Sequence, residues 1–314
     1  MVNFFAYFCS TRHGKISLDK ENAKKNSNDM KKLLSFLSVT LLLLLLPSCK
    51  KSDDFGPIPD GAINGVFSVS AKQRVYFSQG NLQYQNSDQT WRFAENQYDY
   101  IGDANNDWKD LFGWGTSGYN HGATCYQPWG NSTNYVDYYA YGTWNCNLSD
   151  QSGMADWGYN AISNGGNQKN CWRTLSQLEW DYVLFTRKTT SGIRFAKAIV
   201  NSVNGILLLP DNWDESAYSL NEANVTKGPY DANVITDDAW ETLEALGVVF
   251  LPAVGYRYGS DSFLYLNQYG SYWSTTYDDT RYAYYMGFSD HSIDSDDSFY
   301  RYFGRSVRLV RNAK

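Results

Sequence analysis

Between Trp91 and Tyr159 the chain carries tryptophan, tyrosine, glycine, asparagine and aspartate at high density and almost no aliphatic periodicity, as in Asp107-Trp108-Lys109-Asp110-Leu111-Phe112-Gly113-Trp114-Gly115. A stretch with neither a 3.6-residue nor a two-residue apolar repeat cannot bury one face of a helix or strand. It must be a long irregular segment ordered by aromatic side chains, each of which buries a large area.

On the N-terminal flank, Val66-Phe67-Ser68-Val69 and then Val75 to Tyr84 alternate and end in turn residues, which predicts strand, turn, strand. Two helices are legible further on. Ser176 and Glu179 have capping-box spacing, with Leu175 and Trp180 placed as a hydrophobic staple, so a helix is expected from about Gln177 to Phe185 with Trp180, Val183 and Leu184 inward. A second should start after Thr236, with Asp237 and Asp238 suiting the helix dipole, and end at Gly247, its stripe being Trp240, Leu243 and Leu246. The runs 205–210, 248–252 and 305–310 read as buried strands, which gives a mixed α+β domain with a central sheet.

Ahead of this lies an export signal. Lys31 and Lys32 precede the apolar run Leu33 to Leu46, shorter than the roughly 20 residues a spanning helix needs. Leu46-Pro47-Ser48-Cys49 resembles the lipobox of bacterial lipoproteins, which implies acylation of Cys49. Residues 30–48 are then the signal peptide and 1–29 an upstream extension from a misassigned start. Residues 49–60 form a charged, Pro-containing tether, and 61–314 the binding domain. Lys50-Lys51-Ser52-Asp53-Asp54 looks like the signal that sends Bacteroidetes lipoproteins to the cell surface, so the implied location is the outer membrane, lipid-anchored and exposed. The net charge of −6 and the lack of a basic cluster beyond residue 60 argue against a nucleic-acid partner.

Three segments carry a family likeness. Cys171-Trp172-Arg173-Thr174-Leu175-Ser176-Gln177-Leu178-Glu179-Trp180 resembles the Arg-Leu-Pro-Thr-Glu-Ala-Glu-Trp helix start of the formylglycine-generating-enzyme superfamily. Gly270 to Thr275 and Gly304 to Val310 resemble the Tyr-Trp-Ser-Ser and Gly-x-Ser-Val-Arg ends of the Fibrobacter major paralogous domain. Both resemblances imply a C-type-lectin-like fold: α+β, with two helices, a small antiparallel sheet and extensive irregular segments. The stretch from about Val75 to Arg311 is similar to Bacteroides lipoproteins that are targets of diversity-generating retroelements. Such systems rewrite adenines, turning AAC codons into many residues but never Lys, Glu, Gln, Met or Trp.

Composition agrees independently. Residues 256–303 hold 11 Tyr, 8 Ser and 7 Asp against no Lys, no Glu and single Gln, Met and Trp residues. An ordinary acidic surface would mix Asp with Glu, whereas Tyr with Ser is the mixture antibody paratopes favour. A Tyr-rich β surface without such a history is the competing explanation. Alternation in Tyr284-Tyr285-Met286-Gly287-Phe288 assigns Tyr284, Met286 and Phe288 to the core. The expected recognition surface is Tyr258, Tyr265, Tyr269, Tyr272, Tyr277, Asp278, Asp279, Tyr282, Tyr285, Asp290, His291, Asp294, Asp296, Asp297, Tyr300 and Tyr302, with Trp273, Arg305, Val307 and Leu309 as scaffold. The expected partner is a protein or glycan on another cell, a phage or the host, in addition to the membrane reached through the lipid. A fixed-specificity carbohydrate-binding lipoprotein and a structural or adhesin subunit are alternatives.

Catalysis is not expected. No cysteine follows Cys171, so the redox pair of the formylglycine-generating enzymes is missing, and His121 and His291 are the only histidines beyond the leader. No cofactor is expected. Calcium has a weak candidate in Asp103, Asn105 and Asp107, although Trp108 and Trp114 stand where a calcium loop needs Gly and Glu, and a polar turn explains the spacing equally. Cys146 and Cys171 are a disulfide pair to test.

Overall fold

The computed structural model describes residues 56–119, 128–138 and 146–314. The extension, the leader, Cys49, the tether as far as Phe55, His121 and Cys125 lie outside the described residues.

Strands β1 (Phe67–Ser68), β2 (Arg74–Phe77), β3 (Leu82–Gln85) and β4 (Thr90–Phe93) open the fold, followed by β5 (Trp108–Lys109) and β6 (Arg173–Thr174). Helix α1 (Gln177–Asp181) follows and runs on as a π-helical turn, Tyr182–Thr186. Its start is the predicted capping box: Ser176 Oγ accepts from the Glu179 amide, and the Glu179 carboxylate accepts from the Ser176 amide. Arg173 grips the same carboxylate with both terminal nitrogens, at 2.8 and 2.7 Å.

Strands β7 (Phe195–Val200) and β8 (Val203–Leu208) form a hairpin. Its two-residue loop, Asn201-Ser202, has positive φ at both positions, the backbone that matches strand twist. After β9 (Val234–Ile235), Thr236 caps α2 (Asp237–Ala245) by accepting from the Ala239 amide. The chain then turns at Gly247 (φ +86°) into β10 (Val249–Pro252). Strands β11 (Tyr256–Tyr258), β12 (Ser262–Leu264), β13 (Gly270–Tyr277), β14 (Tyr282–Phe288), β15 (Ile293–Tyr300) and β16 (Leu309–Asn312) complete it.

These strands make five small sheets, in the orders β1-β2-β16-β6, β10-β8-β7-β9, β11-β12, β13-β14-β15 and β4-β3-β5. The α+β, lectin-like expectation of two helices around one small sheet is therefore overturned. The described residues are sheet-rich, and the two α-helices among them are 5 and 9 residues long. The cause is local. Among the described residues two segments combine a cap with a 3.6-residue stripe, whereas the apolar runs are 4 to 6 residues long, too short for a helix of several turns, and contain Val and Ile, β-branched residues that fit a pleated surface.

Other expectations need smaller corrections. Leu246 is 41 % exposed at the end of α2 instead of completing the stripe, because the helix stops before the residue turns inward. The last strand begins at Leu309, since Arg305 and Ser306 make only isolated bridges, to Phe112 and Tyr272. Cys171 is a free thiol 3.8 Å from the Gln168 amide oxygen, so it does not bridge to Cys146.

Three apolar cores result. One joins Phe67, Phe77, Trp180, Leu208, Tyr272 and Phe288; a second, mostly aromatic, joins Trp91, Phe112, Trp114, Trp157, Trp172 and Trp273; a third packs Trp240 and Leu243 of α2 on Leu207 and Phe250. The second core is where the irregular segment finds its order. Trp114 Nε1 donates to Ser274 O at 2.9 Å, Trp157 Nε1 to Thr116 O at 3.1 Å, and Trp273 Nε1 to Phe112 O at 2.7 Å, so the indoles both bury area and satisfy loop carbonyls.

Candidate recognition surface

The β13-β14-β15 meander carries most of the segment expected to bind, and it is packed on both sides. Tyr272, Met286, Phe288 and Ile293 enter the first core, while Trp273, Ala283 and Tyr285 enter the second. Two expected surface residues are thereby corrected. Tyr272 is fully buried, with its hydroxyl donating to Pro252 O at 2.8 Å, and Tyr285 is 7 % exposed. Conversely Tyr284, assigned to the core, is half-buried at the rim. The irregularity in the β14–β15 register between Tyr285 and Gly287 accompanies the departure from simple alternation, and Tyr285, Met286 and Gly287 are buried in succession. Trp273, Arg305, Val307 and Leu309 are buried, as expected of scaffold.

Tyr258, Tyr282, Tyr300 and Tyr302 converge on one aromatic ridge. Tyr300 and Tyr302 stack at 4.9 Å, Tyr302 stacks on Phe303 at 5.0 Å, and Tyr258 meets both Tyr302 and Phe303, at 5.9 and 5.4 Å. Tyr282 adds to Tyr300 at 4.5 Å, Phe299 to Phe303 at 4.8 Å, and Tyr135, from the distant irregular segment, to Tyr300 at 6.4 Å. Tyr258, Leu264, Tyr265 and Phe299 are exposed. Tyr277 lies half-buried beside the second core.

Beneath the ridge lie the arginines of this region. Arg257 is fully buried, stacks on Trp129 at 4.2 Å and donates to Gly130 O, Leu111 O and Gly259 O; burial pushes its guanidinium down to about 10. Arg301 is fully buried over Trp114 at 4.6 Å. Arg305 sits 3.5 Å from the Tyr285 ring centroid and within 5.7 Å of those of Trp273, Tyr256 and Phe299, so four rings from four strands share one cation. Its Nε and Nη1 find no hydrogen-bond acceptor, so the aromatic faces are their main compensation.

The carboxylates are placed differently from one another. Asp278 accepts from Ser298 Oγ at 2.6 Å. At Asp279 partial burial opposes ionisation, but the Arg281 and Tyr282 amides and the Arg281 guanidinium at 3.2 Å hold the carboxyl below its usual range. Asp294 and Asp296 hydrogen-bond each other, which raises Asp296 and lowers Asp294. Asp297 accepts from Tyr285 Oη at 3.3 Å, and that hydroxyl lies 3.2 Å from Tyr269 Oη.

Next to the ridge opens a cleft of about 410 Å³, lined by Tyr256, Tyr265, Gln268, Tyr269, Ser289, Asp290 and His291. Asp290 and His291 face each other at 3.1 Å, both largely exposed. Tyr256, Phe299, Phe303 and Tyr135 belong to this surface although sequence reasoning did not place them there. Tyr256 lies inside the Tyr-rich segment and could have been found by its composition; nothing in the sequence signals Tyr135.

Two of the calcium candidates, Asp103 and Asp107, accept hydrogen bonds within the protein. Asp103 Oδ1 accepts from the Asn105 amide at 2.8 Å, and Asp107 accepts from Ser87 Oγ at 2.6 Å, a bond that lowers its pKa. Among the described residues no group of three or more His, Cys, Asp or Glu side chains could hold a metal ion.

A family model described as Domain of unknown function (DUF8237) matches residues 220–310. No curated protein and no solved structure matches the chain. The matched residues run from before α2 to the start of β16, and so take in the ridge, the cleft and the arginines beneath them.

Proposed function

We propose that this chain is an exported, lipid-anchored surface protein that recognises a macromolecular ligand through the aromatic and aspartate surface of residues 256–303, without chemistry on that ligand. The observation that carries the proposal is the convergence of exposed Tyr258 and Phe299, with Tyr300, Tyr302 and Phe303, on one ridge supported by buried arginines, beside a cleft that exposed Tyr265 lines. Tyrosine presents a large amphipathic area with two torsions, so it binds at low entropic cost, and rings already stacked on one another lose little further freedom. Neighbouring Ser and Asp supply adaptable polar contacts.

The residue bias within 256–303 supports diversification of this surface by a retroelement on a constant scaffold. The test is to place the whole chain on peptide and glycan arrays beside a variant with Tyr258, Tyr265, Tyr300 and Tyr302 changed to Ser. Binding that disappears in the variant at unchanged melting temperature is expected. Binding that survives all four changes would move the recognition surface elsewhere.

A further inference from the structure

Resting on that reading, we infer that the cleft beside the ridge takes a cationic side chain, a lysine or arginine presented by a polypeptide partner. The lining decides the sign of charge. Tyr256, Tyr265 and Tyr269 wall the cleft, Asp290 contributes its carboxylate with the exposed His291 imidazole 3.1 Å from it, and among the described residues no Lys or Arg side chain lines it. The face of a phenol ring is the negative pole of its quadrupole, so rings of this kind attract an ammonium or guanidinium. The protein already shows the arrangement internally, where Tyr285 of β14 and Tyr256 of β11 hold the Arg305 guanidinium.

The surroundings point the same way. Asp261, Asp290, Asp296 and Asp297 are exposed in residues 256–303, whereas Arg257 and Arg301 are turned inward and Arg281 is tied to Asp279. Behind Asp290, the buried Lys197 spends its ammonium on the carbonyls of Thr226 and Gly228, at 2.8 and 3.1 Å. An anionic group would therefore meet a carboxylate and ring faces. A volume of about 410 Å³ accommodates the end of one long side chain. Tyr256 touches Phe303, which touches Tyr258, so the cleft is continuous with the ridge. The partner's cation is thus the anchor in a pocket, and the ridge receives the surface around it.

The test uses the full chain, isotope-labelled, titrated by NMR with three probes: the peptide acetyl-(Gly-Ser-Lys)₄-amide, its counterpart with Glu for Lys, and maltotriose. The expected result is saturable shifts at Tyr256, Tyr265 and Asp290 with the lysine peptide alone. Affinity should fall at least about fivefold in Asp290→Asn and in Tyr265→Asn. Asparagine suits position 265 because it tolerates the positive φ there (+58°) while removing the ring. Both residues are largely exposed, so melting temperatures should not move. Shifts at the cleft with the Glu peptide or maltotriose would overturn the cationic assignment and leave the recognition surface standing. Lysine-peptide binding indifferent to both substitutions, or no binding, would overturn it too. Binding that maps outside residues 256–303 would count against the surface itself.

Discussion

Asp110 provides the sharpest test of how the ridge is supported. Its carboxyl is 2 % exposed, accepts from the Ile101 amide at 2.6 Å and lies in the field of Arg257, which stacks under the surface on Trp129. Burial is the dominant influence and pushes Asp110 from an ordinary 3.8 to about 7, against the lowering effects of that amide and of Arg257. The sign follows from proton binding. Between pH 4 and 7 the folded chain holds a proton at Asp110 that the unfolded chain has released, so this group's contribution to stability is full below pH 4 and is lost as pH rises to about 7. At roughly 1.4 kcal/mol per tenfold, the loss is about 4 kcal/mol. Asp110→Asn retains an acceptor for Ile101 and cannot ionise. Urea unfolding from pH 4 to pH 8 should therefore show the variant matching the parent at pH 4 and exceeding it by a few kcal/mol at pH 8. Parallel stability curves for the two proteins would refute the argument, because Asp110 would then be ionised and compensated at no cost.

Further outcomes follow from particular contacts. Gly247→Ala should cost at least about 2 kcal/mol in urea unfolding, since its φ of +86° disfavours a side chain and a Cβ would lie 2.2 Å from the Asn64 carbonyl oxygen. Thr236→Ala should cost about 1 kcal/mol by removing the acceptor for the Ala239 amide at the start of α2, while Thr236→Asp should restore it. Trp273→Phe should cost about 2 kcal/mol, mainly through the void left in the second core, because the Phe112 carbonyl loses its 2.7 Å indole donor but keeps the Arg305 amide at 3.0 Å; unfolding curves again read the change. Tyr258→Ser, at a residue 42 % exposed, should change stability by less than about 0.5 kcal/mol.

How much of this was legible in the sequence depends on how local the cause is. Both helix starts were readable because a cap and its partner lie within three residues, as with Ser176 and Glu179. Strand β7 was missed because Lys197 interrupts its apolar run, and only the tertiary structure shows that lysine buried with carbonyls for partners. The faces of β13 and β14 were half readable. Alternation identifies two faces but assumes that one is wet; here Tyr272 and Tyr285 point into different cores. The aspartate and tyrosine bias marked the segment proposed to bind, whereas Tyr135 joins the ridge from more than 100 residues away through a contact that no local pattern encodes. The number of sheets was illegible for the same reason, since strands as short as β5 and β6 are defined only by their partners.

Residues 256–303 are proposed to form a changeable recognition surface on a constant scaffold. The most direct measurement is to sequence the DNA flanking the gene, and the gene itself across related isolates. A diversified surface predicts a near-copy of the codons for 256–303 that differs only at adenines, a neighbouring reverse-transcriptase gene, and substitutions gathered at exposed positions such as Tyr258 and Tyr265 while Trp273, Arg305 and Leu309 stay fixed. No near-copy, together with substitutions spread evenly over buried and exposed positions, would contradict it.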